Sequence, residues 1–273
     1  MRTKNAMQLK ARINNMAKEA GIPAQAMMQS YLLERLLERL AESPWRDNVV
    51  IKGGVLISSL VGVGSRTTMD LDTTVRGFDL THESAERAFR EIAAVQADDD
   101  WEFEFDRTED IRETDDYPGI RVHLKANYAP MSAPLTVDVT TGDRITPEAV
   151  EYSYPLLFGE GEITLMAYPV ETVVTRGVAN TRPRDFYDIH VLMGTMGEGV
   201  DMHTLREALD STCEKRGSQA AIARWAEVLD DVASDAAMLA QWAKYVRKNP
   251  YAKGILLQDC CATAKATLAS VMG

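Results

Sequence analysis

Val49-Val50-Ile51-Lys52-Gly53-Gly54-Val55-Leu56, followed after a short gap by Arg66-Thr67-Thr68-Met69-Asp70-Leu71-Asp72-Thr73-Thr74-Val75, is the stretch that decides the fold. An apolar triplet meeting two glycines reads as a strand that ends in a tight turn. Residues 56–61 supply one or two turns of helix, closed by the breakers Gly62 and Gly64. From 69 to 76 the chain alternates, with Met69, Leu71, Thr73 and Val75 on one side and Asp70, Asp72, Thr74 and Arg76 on the other, as in a half-buried strand with an acidic outer face.

Working outward, residues 24–41 have helical spacing, with Met28, Leu32, Leu36 and Leu40 on one stripe, Glu34, Arg35, Glu38 and Arg39 outside it, and Pro23 suited to the first turn. Residues 82–95 read as a second helix, stopped by the acidic run 98–100. Alternation at 101–105, 120–127 and 135–139 predicts three further strands, and from 171 onward the pattern is helical, including 185–193, 202–216 and 219–246. The fold class is α+β, a mixed sheet flanked by helices and followed by a helical C-terminal lobe. The expected divisions are N-terminal helices at 1–44, a core at 45–165 and the helical lobe at 166–273.

Composition narrows the function. At 273 residues the chain exceeds the ~100–200 residues of one ordinary domain. Hydrophobic residues at 45% and charged residues at 26% are those of a folded globular protein. A net charge of −11 argues against a general basic surface for coating nucleic acid. Cys213, Cys260 and Cys261 form neither a disulfide framework nor a metal-ligand spacing, which predicts a reducing compartment. The basic N-terminus has no apolar h-region, and no run reaches the ~18 apolar residues of a spanning helix. The expectation is a cytoplasmic protein with no membrane partner.

The candidate chemistry lies in Gly53-Gly54, Asp70-Leu71-Asp72 and Asp138. Two carboxylates one residue apart on a strand share a face, ~6.5–7 Å apart, close enough to share divalent ions. Mg²⁺ prefers oxygen ligands and retains water, so a few aspartates and substrate phosphates suit it. Two such ions can activate an attacking hydroxyl and hold a leaving pyrophosphate. The glycines let backbone N–H groups approach phosphate without an intervening Cβ. Taken singly, a D-x-D is most often a solvated strand face and a Gly-Gly most often a turn. Asp138, between Val137 and Val139, is harder to dismiss, since unpaired charge in an apolar strand is unfavourable.

Three segments together resemble the AbiEii/AbiGii-type toxins of the polymerase-beta-like nucleotidyltransferase superfamily: Ile51-Lys52-Gly53-Gly54-Val55-Leu56, Arg66-Thr67-Thr68-Met69-Asp70-Leu71-Asp72, and Asn180-Thr181-Arg182-Pro183-Arg184-Asp185-Phe186-Tyr187-Asp188-Ile189. The likeness runs roughly from residue 27 to 192, with Tyr117-Pro118-Gly119-Ile120-Arg121 and Thr141-Gly142-Asp143-Arg144-Ile145-Thr146-Pro147 included. It implies a nucleotidyltransferase-type sheet and a Mg²⁺-dependent transfer, with one or two ions, of a nucleoside monophosphate from a nucleoside triphosphate. The implied acceptor is the tRNA 3′ end, and the implied partner is an antitoxin, usually a DNA-binding repressor, in a type IV toxin–antitoxin or abortive-infection system. Gly53 and Gly54 would hold the triphosphate, and Asp70, Asp72 and Asp138 the metal, with Asp138 also serving the acceptor hydroxyl. Asp185 matches a further functional position, and Lys52, Arg66 and Arg184 suit phosphate contact. RNA contact is expected near Arg121, Lys125, Arg182 and Arg184.

The resemblance breaks at residues 168–177. The family has a longer helix with Ala-Glu-Lys there, whereas this chain passes straight through Glu171-Thr172, about two turns short and without the lysine. Arg176 does not offer the same compact charge. Two other readings follow: transfer to a small molecule or a protein, and a member that keeps the fold but acts as a catalytically impaired binding module.

Overall fold

The computed structural model describes residues 3–111, 119–142, 145–178 and 182–272. Its chain divides into two compact units, one formed by Met1–Asp143 with Val150–Ala167 and the other by Arg144–Ala149 with Tyr168–Gly273.

The first unit opens with α1 (Ala6–Ala20), whose buried face is Ala6, Leu9, Ile13 and Ala17, and which ends at Gly21 in the left-handed conformation. Next come α2 (Ala24–Glu42), β1 (Val49–Lys52), α3 (Gly53–Val61), β2 (Leu71–Val75), α4 (His82–Ala94), β3 (Glu102–Ile111), β4 (Gly119–Tyr128), β5 (Met131–Thr140), β6 (Val150–Pro155) and β7 (Glu162–Ala167). The seven strands form one mixed sheet in the order β3-β4-β5-β2-β1-β7-β6. β1 runs antiparallel to β2 and parallel to β7, and β2 runs parallel to β5. Helix α4 starts with a reciprocal cap between Thr81 and Ser84.

Three expectations are corrected. Gly53 and Gly54 are not a turn that ends a strand: β1 passes directly into α3, and the pair forms its first two residues. Only Gly53, at φ +64°, takes the left-handed conformation that lets the chain change course so abruptly. Second, α2 is not solvated along its charged side. Glu34, Arg35 and Arg39 are 0%, 2% and 2% exposed, held inside by partners rather than by water. Glu34 accepts the backbone N–H groups of Leu157 and Phe158 at 2.6 and 3.1 Å and pairs with Arg35 at 2.7 Å. Arg39 grips Asp99 at 2.9 and 2.7 Å and donates to the Trp101 carbonyl. The acidic run after α4 is thus partly internal. Third, Met69 lies before β2 and is 42% exposed, while Thr74, placed on the polar face, is buried.

β6 and β7 were not legible as alternating segments. In β6 only Tyr154 is buried, as expected of a strand at the edge of a sheet.

The second unit is helical: α5 (Val170–Val178), α6 (Pro183–Met196), α7 (Met202–Arg216), α8 (Gln219–Ala223), α9 (Trp225–Ser234), α10 (Ala236–Lys248) and α11 (Leu257–Met272). The expected single run over 219–246 is broken at Arg224 and at Asp235, whose carboxylate caps α10 through the Met238 N–H. Among the described residues, no helix is long and apolar enough to cross a membrane.

Candidate active site

Strand register assembles a charged row across one face of the sheet. Lys52 on β1 is the direct partner of Asp72 on β2, Asp72 of Asp138 on β5, Asp138 of Arg121 on β4, and Arg121 of Glu109 on β3. Directly opposed residues project on the same side, and neighbouring strands lie ~4.8 Å apart. Asp70 comes two residues before Asp72, just ahead of β2. The flanking Leu71, Val137 and Val139 are buried at 1%, 0% and 0%, which anchors the strands and leaves the aspartates on the polar face.

The glycine pair packs against this row. A Cβ on Gly53 would overlap Asp72 Oδ2 and lie 3.0 Å from Asp72 Cβ. A Cβ on Gly54 would lie 2.7 Å from Thr68 Oγ1 and 3.4 Å from Arg66 Nη2. Bare backbone is therefore required where the start of α3 meets the aspartates. Lys52, at the N-cap position, gives no side-chain capping bond to α3. Lys52 Nζ instead donates to Thr140 Oγ1 at 2.6 Å. Arg66 is 4% exposed and donates through Nη1 to the Thr67 carbonyl. Thr68 Oγ1 donates to the Asp70 carbonyl at 3.1 Å, and Gln29 Nε2 on α2 donates to the Met69 carbonyl at 3.0 Å. Both bonds hold the approach to β2 in place.

Asp138 is engaged. Arg121 Nε and Nη2 donate to its Oδ1 and Oδ2 at 2.7 and 2.8 Å, and the Asp138 side chain is 17% exposed. This hydrogen-bonded carboxylate pushes Arg121 above the ordinary guanidinium range, with Asp70 and Glu109 adding to the effect. The donor types and backbone placement of Asp70, Asp72 and Asp138 fit a hard divalent cation. Their side chains stand in a different arrangement: among the described residues no group of three His, Cys, Asp or Glu side chains converges to hold an ion.

The structure thus brings Lys52, Gly53, Gly54, Arg66, Asp70, Asp72 and Asp138 together in the first unit. Arg184 and Asp185 belong to the second. There Pro183 opens α6, the Asp185 N–H donates to the Arg182 carbonyl at 3.0 Å, and Arg184 Nε lies 3.9 Å from Asp185 Oδ1. Asn180-Thr181, Tyr117-Pro118 and Asp143-Arg144 lie outside the described residues. Helix α5 spans nine residues. Of the cations expected to meet RNA, Arg121 is paired with Asp138 and Lys125 with Asp106 at 2.9 Å. Only strand register reveals the bond from Arg121 to Asp138, which alternation along either strand does not specify.

A family model described as nucleotidyl transferase AbiEii toxin, type IV TA system, matches residues 35–258. The chain belongs to the AbiEii family. Its activity is that of a nucleotidyltransferase, and the family implies a nucleoside triphosphate substrate and an antitoxin partner. Among solved structures, JHP933 from Helicobacter pylori is 14% identical, with 90% of this chain and 91% of that one covered and a TM-score of 0.53, a likeness of fold. A second H. pylori protein, provisionally named a nucleotidyltransferase, is 15% identical over 92% of this chain and 98% of its own, with a TM-score of 0.48. A comparison with curated proteins finds no match.

Proposed function

We propose that this AbiEii family member is a Mg²⁺-dependent toxin that transfers a nucleoside monophosphate from a nucleoside triphosphate to the 3′ end of tRNA. The observation that carries the reading is the direct opposition of Asp72 and Asp138, with Asp72 packed against Gly53 at the start of α3. In the reaction, an acceptor hydroxyl oxygen bonds to the α-phosphorus, the bond from that phosphorus to the bridging oxygen breaks, and pyrophosphate leaves with the electron pair.

Each local group has a task in this scheme. The N-terminus of α3 and the cations Lys52 and Arg66 receive the triphosphate, since a helix N-terminus favours anions. Asp70, Asp72 and Asp138 would hold the magnesium, which when bound offsets charge on the phosphates and lowers the pKa of a coordinated hydroxyl. Asp138 also accepts the proton of the acceptor hydroxyl. Arg184 and Asp185, in the second unit, carry the family's second motif. With Arg121 and Lys125 paired and the net charge at −11, RNA affinity rests on few cations and falls steeply with salt.

The test is incubation of the full chain with Mg²⁺, each radiolabelled nucleoside triphosphate and separate tRNA and protein pools. Label entering tRNA 3′ ends is the expected result. No label above an Asp70→Ala control in any pool would sink the reading, and label in protein alone would replace tRNA as acceptor.

A further inference from the structure

Arg121 stands on β4 between two acidic register partners, Asp138 on β5 and Glu109 on β3. It is bound to one of them. Its planar fork takes both oxygens of Asp138, at 2.7 and 2.8 Å, the bidentate geometry in which a guanidinium matches a carboxylate. Glu109, on the other side, has a side chain 46% exposed and lies 3.1 Å from His123 Nε2. The charges of Asp138, Asp70 and Glu109 all act on Arg121.

Without a counter-charge, the opposed Asp72 and Asp138 would repel each other across a single strand spacing. Lys52 and Arg121, next in the row on either side, relieve that repulsion. A divalent cation seeks the same Asp138 oxygens that Arg121 occupies. The Arg121 side chain is 36% exposed, so the pair is of the partly solvated kind that is readily opened.

We propose that Arg121 is a positioning residue that latches Asp138 away from the cation site, and that Glu109 receives the guanidinium when a divalent cation displaces it. The proposal rests on the reading of Asp70, Asp72 and Asp138 as the cation site. Its consequence is that cation binding and the movement of Arg121 from Asp138 to Glu109 are one event.

The test measures Mn²⁺ affinity of the full chain without nucleotide, by electron paramagnetic resonance of free Mn²⁺, alongside thermal melts. R121K keeps the charge but loses the fork. It should bind Mn²⁺ about two- to fivefold tighter than the wild type, the range of a partly exposed ion pair. R121Q should gain at least as much and serves if R121K folds poorly. The gain should vanish in a D138N background. E109Q should bind more weakly than the wild type, with no further loss when combined with R121Q, because double-variant non-additivity marks a shared step. Unchanged affinity in R121K and R121Q, or an equal gain with D138N, overturns the latch. Loss of Mn²⁺ in D72N beside an unchanged R121K removes the latch and leaves the cation site standing. Absence of Mn²⁺ binding by the wild type overturns both.

Discussion

Asp72 and Asp138 are direct partners across the parallel strands β2 and β5, and the backbone of Gly53 fills the space beside Asp72 that a Cβ would need. A carboxylate pair so placed has little use as structure. Its members repel unless cations lie beside them, and Arg121 holds Asp138 in that way.

Replacing either carboxylate by its amide should therefore remove chemistry rather than fold. D72N and D138N are each expected to lower nucleotide incorporation by at least about a hundredfold, the scale of removing one electrostatic contact to a developing charge. Their melting curves should stay close to the wild type. Full incorporation by D72N would exclude Asp72 from the site.

Gly53→Ala should damage both stability and activity. The residue sits at φ +64°, and its new methyl would collide with Asp72 Oδ2. Strain of this kind is worth about 1–3 kcal/mol, readable as a lower urea midpoint. Because the Asp72 carboxylate must move, incorporation should fall further than the stability loss accounts for. An unchanged midpoint would contradict the close approach.

Glu34→Ala tests the internal charges of α2. The change leaves Arg35 with Glu38, also at 2.7 Å, as its remaining carboxylate partner and strands the N–H groups of Leu157 and Phe158. A buried donor left unsatisfied is destabilising by about 1–3 kcal/mol. Denaturant unfolding should show that loss, with a smaller one for E34Q, which keeps an acceptor oxygen. A variant as stable as the wild type would mean that the network contributes nothing.

The two adjacent thiols of α11 predict an alkaline limit to stability. Burial pushes Cys260 up to about 12 and Cys261 up to about 11 from an ordinary 9.0. Unfolded thiols release protons from about pH 9, while the folded ones hold theirs, so stability falls as pH rises from there toward 11–12. The urea midpoint should drop between pH 8 and pH 10.5, and drop less in C260A/C261A. Neither thiol should react with a thiol reagent at pH 8 before unfolding.

The amino-acid sequence by itself determined the elements whose signal is local. Alternation in 120–127 and 135–139 places Val122, Leu124, Val137 and Val139 inside, and the apolar run ending at Lys52 makes β1. The motif segments carried the family because they name residue types at fixed spacing, and Gly53, Asp70 and Asp72 lie within one such stretch. Tertiary structure decided what depends on pairing between distant segments. That Asp138 faces Asp72, that Arg121 takes Asp138 and that Gly53 must lack a Cβ all follow from strand register, which alternation along one strand does not specify. The same holds for α2. Its periodicity marks one apolar stripe, but Glu34 and Arg39 are buried because Leu157, Phe158 and Asp99, more than fifty residues away in sequence, supply the partners that replace water.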